Sequence, residues 1–216
     1  MSKIPPSRAA TEAHTTHELP AMSGEQALQK LIRGHQRYVT GNPRHPHQTA
    51  TRRAAIARSQ RPIAIIFGCA DSRVPLEIIF DQGLGDLFII RLAGHVLTDA
   101  VLGSIEYAVE EFGVPLVLVL GHERCGAVSA AVAAVAGGGP SPGHIDTLVN
   151  AIKPAVEKVK EIPGDVVDNA VRAHVSLVVE QLRSSLPLLA PLVQAVKLKI
   201  VGARIDLDNG KIDMIG

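Results

Sequence analysis

Residues 62–73 have the sequence PIAIIFGCADSR, an apolar run that leads directly into a cluster of polar side chains. The same arrangement recurs at residues 116–126, which have the sequence LVLVLGHERCG. Continuous apolar runs of this length are typical of strands that are buried on both faces of a parallel sheet. Because such sheets bind ligands beyond the carboxyl ends of their strands, we expect the two polar clusters to meet at one edge.

The rest of the chain alternates between strand and helix patterns. Two further strands are predicted at 87–90 and 198–207, and helices are predicted at 99–112, at 126–136 and, two or three of them, between 145 and 196. The sequence therefore predicts an α/β fold with a mainly parallel four-stranded sheet flanked by helices. The turn signal Asp208-Asn209-Gly210 predicts an additional C-terminal strand.

The N-terminal region divides into a tail and a helical arm. Residues 1–22 are rich in Pro, Ser and Thr and are predicted to be a flexible tail. Ser23-Gly24-Glu25-Gln26 has the pattern of a capping box, which marks the start of a helix. We expect residues 23–216 to form a single domain whose helical arm spans about residues 23–60.

Composition limits the classes of protein to which the chain can belong. The sequence has 22 Lys and Arg against 21 Asp and Glu, and a net charge of +1 gives no reason to expect nucleic acid or a membrane as a partner. The N-terminal residues contain no apolar signal segment, and no apolar stretch is long enough to span a bilayer. We therefore expect a cytoplasmic protein, in which both cysteines are free thiols.

These two cysteines are the strongest functional signal. Cys69 and Cys125 each lie in one of the polar clusters, and His122 precedes Cys125 by three residues. Two thiolates and one imidazole are ligands that suit zinc. Three protein ligands leave the fourth tetrahedral position for water, which is the arrangement of a catalytic zinc site. Asp71 could bind the metal or accept a hydrogen bond from its water, and Arg73 could pair with that carboxylate.

The two clusters together resemble a known family. Cys-x-Asp-Ser-Arg followed by Gly-His-x-x-Cys-Gly is similar to the motifs of the β-class carbonic anhydrases. The similarity runs from about Ala27 to the final strand, and it includes EIIFDQGLGD at 77–86, RLAGH at 91–95 and SIEYAV at 104–109. Only the N-terminal tail lies outside it.

The resemblance implies a reaction and a set of site residues. It implies that Cys69, His122 and Cys125 hold Zn²⁺, and that zinc-bound hydroxide converts carbon dioxide reversibly to bicarbonate and a proton. It also implies that Asp71, anchored by Arg73, orients this hydroxide. In some family members the counterpart of Asp71 displaces the water and becomes the fourth ligand, so a closed state of this kind is open to Asp71 as well.

The resemblance also implies substrate contacts and an oligomer. Gln60 corresponds to a glutamine that hydrogen-bonds the substrate, and Phe88 and Tyr107 correspond to apolar and aromatic walls of the pocket. In the family these three residues come largely from the partner subunit. We therefore expect a homodimer or homotetramer, with the N-terminal helices contacting a neighbouring subunit.

Two other functions share the same sequence features. A hydrolase of CS2 or COS with this fold would use the same zinc site and differ in the access to it. A non-catalytic zinc-binding protein would need the three ligands but would not need Asp71 and Arg73.

Overall fold

The computed structural model describes residues 22–216. The predicted tail, apart from Met22, lies outside the described residues, so its flexibility stays a prediction. Within the described part of the chain, no helix is both long enough and apolar enough to cross a membrane.

The centre of the structure is a five-stranded sheet with the strand order β2-β1-β3-β4-β5. Its strands are β1 (Ala64–Gly68), β2 (Leu87–Arg91), β3 (Leu116–His122), β4 (Lys199–Ile205) and β5 (Ile212–Ile215). The first four are parallel to their neighbours, and β5 runs antiparallel to β4. The predicted fold class, four mainly parallel strands and an additional C-terminal strand, is confirmed.

Eight α-helices surround this sheet in residues 22–216. They are α1 (Gly24–Val39), α2 (Ala50–Ala55), α3 (Leu76–Ile79), α4 (Asp99–Phe112), α5 (Gly126–Val135), α6 (Ile145–Val159), α7 (Val166–Arg183) and α8 (Leu189–Gln194). A 3-10 helix at Ala93–His95 follows β2. The sequence patterns did not predict α3 or the 3-10 helix, because a single turn is too short to show a helical period.

The core lies on both faces of the sheet. Every residue of β1 and β3 is buried. Successive strand residues point to opposite faces, so Ile66 and Leu118 belong to one apolar cluster, whereas Ile65 and Val117 belong to the other. This burial explains why the two strands are continuously apolar.

The predicted helical arm contains two helices that differ in burial. Ser23 caps α1, and its side chain and that of Gln26 form the expected capping box. The buried face of α1, which includes Leu28 and Leu31, packs against the chain's own core. Helix α2 has no buried residue, and it ends at Ala55, before the end of the predicted arm at about residue 60.

Candidate metal centre

Three sequence-predicted ligands meet at the carboxyl edge of the sheet. Cys69 directly follows β1, His122 is the last residue of β3, and the two strands are parallel neighbours. Cys125 lies three residues beyond His122, immediately before α5. One ligand atom from each of the three residues lies within 4.8 Å of the other two. All three residues are at least 96% buried, since their exposed fractions are 4%, 1% and 1%.

The turn between β3 and α5 determines where Cys125 lies. Arg124 has a left-handed backbone, with a φ of 50°, which is uncommon for a residue other than glycine. Its side chain forms a two-fold ion pair with Asp208, at 3.0 and 2.7 Å. Cys125 is the N-cap residue of α5, where the helix dipole favours a thiolate.

The imidazole of His122 is oriented for binding a metal. Its Nδ1 lies 2.9 Å from the carbonyl oxygen of Glu123, and a carbonyl can only accept, so Nδ1 carries the proton. Nε2 is therefore a lone-pair donor. This atom is buried and has no hydrogen-bond partner. A buried nitrogen without a partner is costly in a folded protein, and a metal ion would satisfy it.

The two thiols show the same need for a cation. The pKa of Cys69 is lowered, first because Cys125 donates a hydrogen bond to its sulfur. The pKa of Cys125 is raised, mainly because of its hydrogen bond to Cys69 and its burial. One of the two thiols therefore ionises readily, and the negative charge of that thiolate disfavours ionisation of the other thiol. A divalent cation would remove this opposition and allow both sulfurs to ionise.

Asp71 and Arg73 lie beside these ligands and form a bidentate pair. The Arg73 guanidinium donates to both carboxylate oxygens, at 2.9 and 2.7 Å, and the Arg73 amide adds a third bond at 2.9 Å. These bonds from Arg73 hold the pKa of Asp71 well below its usual range. The carboxylate is therefore an anion at any ordinary pH. Its Oδ2 lies 3.9 Å from Nε2 of His122, so its charge is next to the candidate metal position.

Two contributors to the site lie in the RLAGH segment, but the motif analysis assigned them no role. Arg91, the last residue of β2, donates to the carbonyl oxygens of Cys69 and Asp71 at 2.9 and 2.6 Å and so holds the loop between them. The backbone N–H of Gly94 donates to Sγ of Cys69 at 3.2 Å. A charged residue at the end of an apolar strand was a usable signal for Arg91. A backbone donor such as Gly94 carries no side-chain signal.

The three predicted substrate residues are not gathered around the metal ligands of their own chain. Gln60 is exposed in the segment before β1. Phe88 pairs with Ile65 of β1. Ile65 precedes Cys69 by four residues, so Phe88 lies about 13 Å from the level of Cys69 along the strand direction. Tyr107 is 55% exposed and lies with its ring centroid 6.5 Å from that of Phe88. In a single chain Phe88 and Tyr107 therefore lie together on β2 and α4, rather than forming a wall of the site.

Comparison with known proteins identifies the family. A family model described as carbonic anhydrase matches residues 64–212, a range that includes all three candidate ligands. The chain belongs to the β-carbonic anhydrase family. It is 44% identical to carbonic anhydrase 2 of Mycobacterium tuberculosis, over 89% of this chain and 93% of the relative. It is 41% identical to a carbonic anhydrase of Mycolicibacterium smegmatis, over 91% of this chain and 95% of the relative.

The fold agrees with this assignment. A tetrameric β-carbonic anhydrase from Sordaria macrospora matches with a TM-score of 0.69 and 23% identity, over 89% of this chain and 96% of that chain. The resemblance inferred from the two motifs is thus confirmed. This β-carbonic anhydrase is an enzyme that hydrates carbon dioxide reversibly.

Proposed function

We propose that the chain hydrates carbon dioxide with a zinc ion held by Cys69, His122 and Cys125. The observation that carries the proposal is the buried Nε2 of His122, which has a free lone pair and lies within 4.8 Å of two buried sulfurs. Thiolate and imidazole ligands favour zinc over the hard cations, which prefer oxygen. When bound, zinc lowers the pKa of water enough to supply a hydroxide nucleophile near neutral pH.

Asp71 is proposed to orient the attacking water. Its carboxylate is negatively charged at working pH and can only accept hydrogen bonds. An O–H of the attacking water would donate to it, which directs the oxygen lone pair toward the carbon of carbon dioxide. Arg73 prevents the carboxylate from rotating, because it binds both oxygens.

We propose further that the fourth metal position is open to water. A closed site would require Asp71 to bind the metal itself. Both carboxylate oxygens already accept bonds from Arg73, and Arg73 is in turn fixed by a bond of 3.2 Å to the carbonyl oxygen of Arg124. Breaking this pair is the cost of closure, so its retention supports the open state.

A homo-oligomer is proposed to complete the substrate pocket. Gln60 and Tyr107 are exposed in one chain, Phe88 is only partly buried, and α2 has no buried residue. A second copy could cover these groups and bring its own Gln60, Phe88 and Tyr107 to the site. Whether two or four chains assemble is measured by sedimentation velocity. Loss of activity per chain on dilution below the association range would support the shared pocket, and activity of an isolated monomer would refute it.

The first experiment is stopped-flow hydration of carbon dioxide on protein whose zinc content has been measured. We expect turnover in proportion to zinc, up to one ion per chain. Cys125→Ser should lose both zinc and turnover, because it removes a metal ligand. It should keep the fold, because the strands are unchanged. Fully zinc-loaded protein without turnover would refute this mechanism, and CS2 and COS would then be the substrates to test.

A further inference from the structure

The turn that follows β2 contacts the candidate metal centre through Gly94. This residue has a left-handed backbone with φ 65° and ψ 16°, and its N–H donates to Sγ of Cys69. A Cβ at this position would lie 2.7 Å from Cδ1 of Ile152 and 2.9 Å from Cβ of Ala127. Both the conformation and the close packing require glycine. The turn is therefore fitted to bring a backbone donor to the sulfur.

The other side of Gly94 is held by a histidine of α7. The Nε2 of His174 lies 3.0 Å from the carbonyl oxygen of Gly94, and because a carbonyl only accepts, Nε2 carries the proton. His174 is 4% exposed, and its ring lies 4.6 Å, centroid to centroid, from that of His95. His95 is itself fully buried and has a left-handed backbone, with a φ of 41°. The turn is thus held by α7 on the side of the Gly94 carbonyl, opposite the N–H that contacts Cys69.

We propose that His174 is a positioning residue for the Cys69 thiolate, acting through the Gly94 turn. The inference rests on the proposed metal-binding function. His174 holds the carbonyl of Gly94, and this fixes the direction of the Gly94 N–H toward Sγ. A hydrogen bond to a thiolate withdraws negative charge from the sulfur and fixes its orientation, so it influences how strongly the sulfur donates to a metal.

The chain contains a matched control for this contact. His35, on α1, is also buried, with an exposed fraction of 5%, and its Nδ1 lies 3.2 Å from the carbonyl oxygen of Ile79. The bond is of the same type as that of His174. Ile79 lies in α3 and does not contact a metal ligand through a hydrogen bond. Replacing His35 therefore removes a buried imidazole–carbonyl bond without affecting the Gly94 turn.

The test compares His174→Phe, His174→Gln and His35→Phe in the full chain. Phe keeps an aromatic ring against His95 but has no donor, whereas the Gln amide can donate to the Gly94 carbonyl again. Zinc affinity is measured by competition with a chelator, and the sulfur-to-metal charge-transfer band is recorded after Co²⁺ substitution. We expect His174→Phe to weaken zinc binding about 10- to 100-fold, because the loss of positioning of the Cys69 sulfur outweighs its increased donor strength. We expect its cobalt band to move to longer wavelength, because a sulfur that has lost a hydrogen bond is a stronger donor.

The expected pattern includes recovery in His174→Gln and wild-type metal binding in His35→Phe. An unchanged affinity and band in His174→Phe would refute the role of His174, as would equal effects of the two Phe variants. If His174→Phe does not fold, His174→Asn, which is too short to reach the carbonyl, serves for the same comparison. A wild-type chain that binds neither zinc nor cobalt would refute the proposed metal function as well. If the wild type binds both metals and the His174 variants bind them equally well, only this inference is refuted.

Discussion

At the scale of single residues, Asp71 shows how one charge is given both a fixed state and a fixed direction. Arg73 donates to both oxygens, and this lowers the pKa of the carboxyl well below its usual range. The side chain of Asp71 is 19% exposed and that of Arg73 is 49% exposed, so solvent reaches the pair mainly from the arginine side. The same pair occupies both oxygens of Asp71, and this supports the proposal that the carboxylate accepts a hydrogen bond from water rather than binding the metal.

We predict that Asp71→Asn lowers turnover about 10²-fold or more, the size of effect expected when a reacting molecule loses the group that orients it. The amide is neutral and presents a donor where the attacking water needs an acceptor. Zinc content should stay near one per chain, because the three ligands are intact. Stopped-flow hydration with metal analysis measures both. Asp213→Asn is the control, since Asp213 also pairs with an arginine, Arg172 at 3.0 Å, but is 55% exposed and belongs to β5; equal losses in the two variants would contradict the role of Asp71.

The sequence indicated some residues of the site and not others, for a physical reason. Cys69, His122 and Cys125 could be grouped because they follow apolar runs and carry metal-binding atoms. Arg91 and Gly94 contact Cys69 as well. Arg91 does so with a long side chain that donates to backbone carbonyls, and Gly94 does so with its backbone N–H. Contacts made to or by the backbone depend on the path of the chain, which side-chain types do not reveal.

At the scale of elements, α7 packs across two strands through positions that lack a side chain. A Cβ at Gly121 in β3 would lie 2.7 Å from Val175, and a Cβ at Gly202 in β4 would lie 2.6 Å from the same residue. Valine on a helix has one strongly preferred rotamer and cannot easily move aside. The two glycines therefore allow α7 to approach the sheet, and this approach brings His174 to the Gly94 turn.

We predict that Gly121→Ala and Gly202→Ala each lower the free energy of unfolding by about 1–3 kcal/mol, the usual cost of overpacking. Gly121→Ala should also weaken zinc binding, because the new methyl group shifts the backbone of β3 directly before the ligand His122. Urea unfolding and chelator competition separate the two effects. Gly103→Ala, in the middle of α4 with no atom within 4 Å of the new Cβ, should instead stabilise the protein by about 0.5–1 kcal/mol. Equal unfolding energies in all three variants would contradict the packing argument.

Hydrophobic patterns predicted helices and strands well where the pattern extended over many residues. The helix at 99–112 has the predicted bounds, and the strand predicted at 87–90 extends one residue further to Arg91. The strand predicted at 198–207 is shorter, Lys199–Ile205, because the chain turns after it toward β5. The ends of strands are set by pairing with neighbours, so local composition does not determine them.

At the scale of the whole molecule, three histidines outside the ligand set are buried in the part of the chain that the structure describes. His35, His95 and His174 are at most 5% exposed, and burial is the largest cause that lowers the pKa of each. The pKa of His174 falls from 6.5 to about 4. The folded chain therefore keeps these rings neutral at a pH where the unfolded chain would protonate them. This difference links the stability of the entire fold to pH.

The sign of the linkage follows from proton counting. Between about pH 6.5 and about pH 4 the unfolded chain binds more protons than the folded chain, so stability is complete above that window and is lost as the pH falls through it. For His174 the full effect is about 3 kcal/mol, of which about 2 kcal/mol is lost between pH 7.5 and about pH 5. Urea unfolding of reduced, metal-free protein at these two pH values measures the loss. His174→Gln, which has no proton to gain, should lose about 2 kcal/mol less than the wild type over the same interval. Because all other titrating groups are common to both proteins, an identical pH dependence would show that His174 is already charged, or already solvated, in the folded chain.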